Sequence, residues 1–293
     1  MWTGIELLHV LQDIRLDYPF LEDFFTVMSS RVLYLALPAI LVFLFYWCID
    51  KKQGEILALS FFPAMVFAVV SKFGFDQPRP WDLDPGIIKV EGVNVNGLSL
   101  PSGHTASTVS SLLPAATFSK NHVISAVLIA VMILVIIGRL VLCVHTPLDI
   151  ISGIVIGLIA IAVAWGSLDF AFGDDRRYHL VNIAYTVFFT ILFIIGLAYW
   201  DVGMDRTAWY AGIIYGMIVG RTLDRIYLRY KVPETGRREH ALRFLIGLIS
   251  SAVILLVFAI LVPVWGVAIG GAAMMIWAFF LYPYIMVRKG LFM

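Results

Sequence analysis

Three short stretches of this sequence combine residue types suited to holding and attacking a phosphoryl group. "KFGFDQPRP" (72–80) carries Lys72 and, after six further residues, Arg79 with Pro80 behind it. "LPSGHT" (100–105) sets Ser102, Gly103 and His104 directly before an apolar run. "GRLVLCVHTPLD" (138–149) has Arg139, His145 after five intervening residues, and Asp149. Two guanidinium forks match phosphate oxygens bidentately, and the lysine adds a point charge. Ser102 and the N–H of Gly103 would open a helix, where free donors and the dipole favour an anion. Thr146, Pro147 and Asp149 suit the N-cap, N1 and N3 positions of the next helix. That cap leaves His145 just outside the helix, with Asp149 able to accept from its Nδ1 and Nε2 free to attack. His104 then suits the general acid that serves the leaving oxygen.

The elements that must position these residues are apolar. Of 293 residues, 61% are hydrophobic and 14% charged. A soluble domain would carry about 45–50% apolar and about 25% charged residues. Net charge is +1, which gives no electrostatic argument for a nucleic-acid partner. The charges fall in gaps between long uncharged runs, the pattern of an all-α integral membrane protein. Nine spans are expected, at 32–48, 55–75, 103–118, 122–144, 147–168, 180–200, 208–228, 241–265 and 266–286. The third is short and rich in Ser and Thr, which suits a helix shielded from lipid by its neighbours. "PVWG" (263–266) reads as a tight turn between the last two.

With the N-terminus outside, inner segments collect thirteen Lys and Arg, from Lys51 to Lys289, and outer segments four, Arg15, Arg31, Lys89 and Arg206, with Lys72, Arg79 and Arg139 of the motifs set aside. The positive-inside rule therefore predicts N-out, C-in, and puts all three motifs at the extracytoplasmic face. Residues 1–31 fit an interfacial amphipathic helix with Trp2, Ile5, Leu8, Leu11 and Ile14 as its apolar positions, or a lead-in helix packed on the bundle. The first residues show no basic n-region or small-residue cleavage site of a signal peptide. Cys48 and Cys143 fall near opposite faces and are expected to be packing residues.

Lys-x6-Arg-Pro, Pro-Ser-Gly-His and Arg-x5-His-x3-Asp, in this order, resemble the three-part signature of the type-2 phosphatidic acid phosphatase superfamily. That family includes membrane lipid phosphatases and is related to vanadium haloperoxidases. The match covers 72–149. The resemblance implies a six-helix phosphatase core over 32–200, leaving 201–293 as a C-terminal transmembrane extension reminiscent of sphingosine-phosphate phosphatases. It implies His145 as a nucleophile forming a phosphohistidine, Asp149 as its orienting group, and His104 as acid and then base. It further implies Lys72, Arg79, Ser102, Gly103 and Arg139 as the phosphate cradle, with neither metal nor cofactor. One position departs: Gly138 stands where the signature has serine, so another donor, such as Thr105 or a water, is expected there.

The implied activity is a lipid phosphate or pyrophosphate phosphatase. Its candidate substrates are phosphatidic acid, a polyprenyl pyrophosphate, phosphatidylglycerol phosphate and a sphingoid phosphate. Rival readings are a transporter or a non-catalytic binder of phosphorylated lipids, and a lipid phosphotransferase. Lys72 has an alternative use as a partner of Asp76. Asp82 and Asp84 suit loop ordering. Arg221 and Asp224, three residues apart in the seventh span, suggest an ion pair or a polar path.

Overall fold

The computed structural model describes residues 4–91, 93, 95, 97–262 and 265–291. Trp2, the Pro263–Val264 half of the expected turn, and Gly92, Asn94 and Asn96 of the long outer loop lie outside the described residues. All regular structure among the described residues is helical. The α-helices are α1 (Ile5–Asp17), α2 (Phe20–Met28), α3 (Leu37–Leu44), α4 (Lys51–Phe75), α5 (Pro80–Leu83), α6 (Gly103–Phe118) and α7 (His122–Val141). They continue with α8 (Pro147–Ala171), α9 (Asp175–Tyr199), α10 (Met204–Leu223), α11 (Arg237–Leu261), α12 (Gly266–Ile276) and α13 (Tyr282–Lys289). Single π-helical turns flank α3 (Val32–Ala36 and Phe45–Ile49), extend α10 (Asp224–Leu228) and join α12 to α13 (Trp277–Leu281).

Among the described residues, seven helical stretches are long and apolar enough to cross a membrane: Phe20–Ile49, Lys51–Leu83, His122–Val141, Pro147–Ala171, Asp175–Tyr199, Arg237–Leu261 and Gly266–Lys289. The other two expected spans are also helices, but fall outside this set for physical reasons. α6 has only 16 residues, and nearly all its Ser and Thr side chains are buried. Most of those hydroxyls bond backbone carbonyls, as in Thr108 to His104 O and Ser111 to Ser107 O. α10 carries the buried Arg221 near its end.

The chain divides into two compact units. The first comprises residues 1–39 and 59–163. Its centre is α6, which α8 approaches through Gly153 and Gly157. A Cβ at Gly153 would stand 2.7 Å from Ser102 O, and one at Gly157 2.7 Å from a Val109 methyl. This small-xxx-small spacing brings the two backbones together. The N-terminal segment forms two helices and not one. α1 buries Leu8 against Ile87 and Cys143, but also buries Gln12 and Arg15, while Ile14 is exposed. Gln12 donates to Gly86 O and accepts from Ile88 N–H, and His9 meets Asp84 at 3.0 Å. α1 therefore packs on the unit and straps the 84–88 loop.

The second unit comprises residues 40–58 and 164–293. α10 packs along α12, with Gly212, Gly216 and Gly220 facing it. Arg221 and Asp224 do not pair with each other. Arg221 donates through Nε and Nη2 to Glu55 Oε2 (3.2 and 2.9 Å) and through Nη1 to Asn182 Oδ1 (2.8 Å). Asp224 takes Lys51, and Tyr178 donates to Glu55 at 2.8 Å. The helical pitch explains the swap: positions 221 and 224 both face the first turns of α4, where Lys51 and Glu55 stand one turn apart. Cys48 and Cys143 are free thiols.

Candidate active site

All three motifs belong to the first unit, and the fold brings their side chains to one place. α8 opens as its residues demand. Thr146 N–H donates to Asp149 Oδ2 at 2.7 Å, and Asp149 N–H lies 3.4 Å from Thr146 Oγ1. This reciprocal cap satisfies leading donors of the helix and holds the carboxylate beside His145. His145 Nδ1 stands 3.3 Å from Asp149 Oδ2. Its Nε2 faces Arg79 Nη1, also at 3.3 Å. A guanidinium can only donate, so Nε2 is the unprotonated nitrogen and Nδ1 carries the proton.

α6 opens on Ser102, whose Oγ accepts from Thr105 N–H (3.4 Å) and from Thr105 Oγ1 (2.9 Å). Ser102 N–H donates to Asp149 O at 3.0 Å, tying this end of α6 to the first turn of α8. The Thr105 hydroxyl expected as a substitute phosphate donor is thus committed to Ser102. Gly103 begins the helix, so its N–H is one of the leading donors.

Lys72 does not meet Asp76. Its ammonium donates to Leu98 O (3.0 Å) and Ser99 O (2.7 Å), leaving one of its three protons unassigned. Arg79 donates to Gly97 O (2.8 Å) and Val144 O (2.7 Å). Both cations therefore clamp the chain around the second and third motifs. Arg139 differs. It is 1% exposed, and among the described residues Nε, Nη1 and Nη2 all lack a hydrogen-bond partner. A buried guanidinium with every donor orphaned is costly unless an oxyanion meets it.

His104 meets the segment between α2 and α3. Its Nε2 is 3.2 Å from Ser29 O, and its ring packs on Tyr34 with centroids 3.7 Å apart. Gly138 has a steric cause: a Cβ there would stand 2.8 Å from Phe25 Cδ1. The α2 ring occupies the space a serine side chain would need.

His145 lies between the spanning segments, and its imidazole is held well below the ordinary histidine range. Burial is the main cause; the charges of Arg79, Lys72 and Arg139 and the neighbouring His104 add to it. The resting ring is neutral.

Residues 53–172 match the model of the PAP2 superfamily. Residues 208–292 match that of the PAP2 superfamily phosphatase transmembrane extension. The chain belongs to the PAP2 superfamily. All three motifs fall inside the first PAP2 match, so the protein is a membrane phosphatase by family. No curated protein and no solved structure matches the chain.

Four contributors to this PAP2 site are not legible from motif spacing: Ser29, Tyr34, Phe25 and Ser99. The first three come from α2, its C-cap and the π turn that follows. Ser99 has a side chain 2.5 Å from Asp149 Oδ2 and 3.3 Å from His145 Nδ1. No periodicity marks them.

Proposed function

We propose that this protein is a metal-independent lipid phosphate or lipid pyrophosphate phosphatase that works through a phosphohistidine at the extracytoplasmic face. The observation that carries the reading is the cap of α8, which turns Nδ1 of His145 to Asp149 and Nε2 to the arginine side. The orphaned donors of Arg139 supply what a phosphoryl oxygen needs. Arg79, Ser102, Gly103 and the remaining proton of Lys72 complete the cradle, which stabilises charge on the equatorial oxygens as the bond to the leaving oxygen loosens.

In the first step the Nε2 lone pair of His145 forms a bond to phosphorus and the bond from phosphorus to the lipid oxygen breaks. A proton passes from His104 to that oxygen, and Asp149 supports the positive charge on the His145 ring. In the second step a water oxygen attacks phosphorus and gives its proton to His104, and the N–P bond breaks to release phosphate. His104 must turn away from Ser29 O to serve both steps.

The excess of Lys and Arg on the opposite segments supports the outer-face assignment and the N-out, C-in orientation. We assign residues 1–31 to the N-terminal strap, 32–200 to the phosphatase core and 201–293 to the transmembrane extension. Substrates in reach are phosphatidic acid, polyprenyl pyrophosphate, phosphatidylglycerol phosphate and sphingoid phosphate.

The test is phosphate release by wild type and His145→Ala in detergent with excess EDTA, across those four lipids. EDTA-resistant release that is lost in the variant is the expected result, and the ranking of lipids identifies the substrate. Release that needs a metal, or that survives in the variant, overturns the proposal.

A further inference from the structure

Ser99 belongs to none of the three motifs, yet its N–H, carbonyl and hydroxyl are all engaged beside the nucleophile. It is fully buried. Its N–H donates to Gln77 O at 2.8 Å, and its carbonyl accepts from Lys72 Nζ at 2.7 Å. Its hydroxyl stands between the two partners of the nucleophilic pair: 2.5 Å from Asp149 Oδ2 and 3.3 Å from His145 Nδ1.

Proton inventory fixes the direction of both bonds. A carboxylate only accepts, so the single hydroxyl proton of Ser99 goes to Asp149, and the distance suits a charge-assisted O–H···O⁻ bond. The Ser99 lone pairs then face Nδ1, whose proton is assigned independently by the Arg79 donor at Nε2. The Nδ1 proton is therefore shared between Asp149 Oδ2 and Ser99 Oγ, both at 3.3 Å. Asp149 Oδ2 meanwhile accepts from Thr146 N–H and Ser99 O–H at shorter distances than from the histidine.

We propose that Ser99 is a positioning residue for the nucleophile: its hydroxyl shares the Nδ1 proton with Asp149 and fixes the rotation of the His145 ring. The proposal rests on the phosphohistidine reading above and adds to it a residue that acts through His145 and Asp149, not on the phosphate. It also gives Lys72 a second task. By gripping the carbonyls of Leu98 and Ser99, Lys72 sets the depth at which the Ser99 hydroxyl enters the pair.

Two consequences follow from removing the hydroxyl. With one partner left, the ring can swivel about the Asp149 contact, so fewer encounters place Nε2 in line with phosphorus. Asp149 Oδ2, relieved of its strongest donor, can turn more of its charge onto the histidine, which makes the imidazolium easier to form. The charged and titratable neighbours are otherwise unchanged: Lys72 from α4, Arg79 from the loop after it, His104 from α6, Arg139 from α7 and Asp149 from α8. The charge of Asp149 is the one whose sharing changes.

The experiment compares wild type, Ser99→Ala and Ser99→Thr by phosphate-release kinetics and by nitrogen-15 histidine NMR across pH. His145→Ala identifies the His145 signal. In Ser99→Ala, kcat is expected to fall about tenfold, the rate equivalent of one ordinary buried hydrogen bond, with KM within about twofold. The His145 titration should move to higher pH, and Ser99→Thr should restore most of both. If Ser99→Ala does not fold, Ser99→Cys, with its weaker donor, replaces it. Unchanged kcat together with an unchanged His145 titration overturns the role of Ser99 while leaving the phosphatase reading intact. A shifted His145 titration in Ser99→Ala, with no phosphate release even by wild type, sinks the phosphatase reading and upholds the Ser99 contact.

Discussion

The Gly138–Phe25 contact offers a sharp test of how α2 shapes the site. A Cβ at 138 would approach Phe25 Cδ1 to 2.8 Å and Phe25 Cβ and Cγ to 3.4 Å. Carbon atoms prefer a separation of about 3.5–4.0 Å, so the ring would have to retreat by about 0.7 Å or more. Phe25 has little room to do so. It is 8% exposed and packed with Val90, Val141, Leu142 and Val144. Gly138→Ser should therefore cost about 1–3 kcal/mol of stability as an overpacked site. Phe25→Ala alone should cost about 3–5 kcal/mol as a cavity. In the double variant the serine no longer meets the ring, so the combined loss should undercut the sum by about 1–3 kcal/mol. Denaturation of all four proteins in mixed detergent micelles measures this coupling. Additivity within about 0.5 kcal/mol would refute the contact as the reason for glycine. Phosphate release gives a second reading: the double variant restores a hydroxyl beside Arg139 and should show a lower KM than Phe25→Ala alone.

Three further outcomes are expected. Because the neutral His145 ring is the nucleophile and its pKa is lowered by burial, activity should persist as pH falls through about 6.5, the ordinary histidine value, and be lost only below it. An acid limb of kcat/KM at or above that value, after allowing for the substrate's own phosphate ionisation, would contradict the burial argument. Arg139→Met should lower kcat/KM by about 10²–10³-fold, as for loss of a transition-state donor, while raising the denaturation midpoint of the ligand-free protein by removing an unpaired buried charge. Orthovanadate should raise the midpoint of wild type and not of this variant. In the second unit, Arg221→Met should cost about 3–5 kcal/mol because it strands Glu55, and Glu55→Met with Arg221→Met should recover most of it. Equal losses in the single and double variants would show that the pair is not what holds that packing.

Much of the protein was determined by sequence alone, because lipid removes the alternatives. A chain in hydrocarbon must satisfy its backbone within each segment, so apolar run length nearly dictates helix position. α6 and α8 begin at Gly103 and Pro147, as the Ser102 and Thr146 cap residues require. Local chemistry also set the His145–Asp149 pair, since four residues across a helix start leave little freedom. Partners far along the chain were decided only by tertiary structure. Spacing within one helix suggested a pair between Arg221 and Asp224, but their charges are met by Glu55 and Lys51, more than 160 residues away in sequence. The role of α1 turned on which of its faces the 84–88 loop could hydrogen-bond. Gly138 needed Phe25, His104 needed Ser29 and Tyr34, and the His145–Asp149 pair needed Ser99. Each of these is a contact between segments whose approach is set by packing, and a one-dimensional pattern encodes periodicity along a helix but not the distance between two of them.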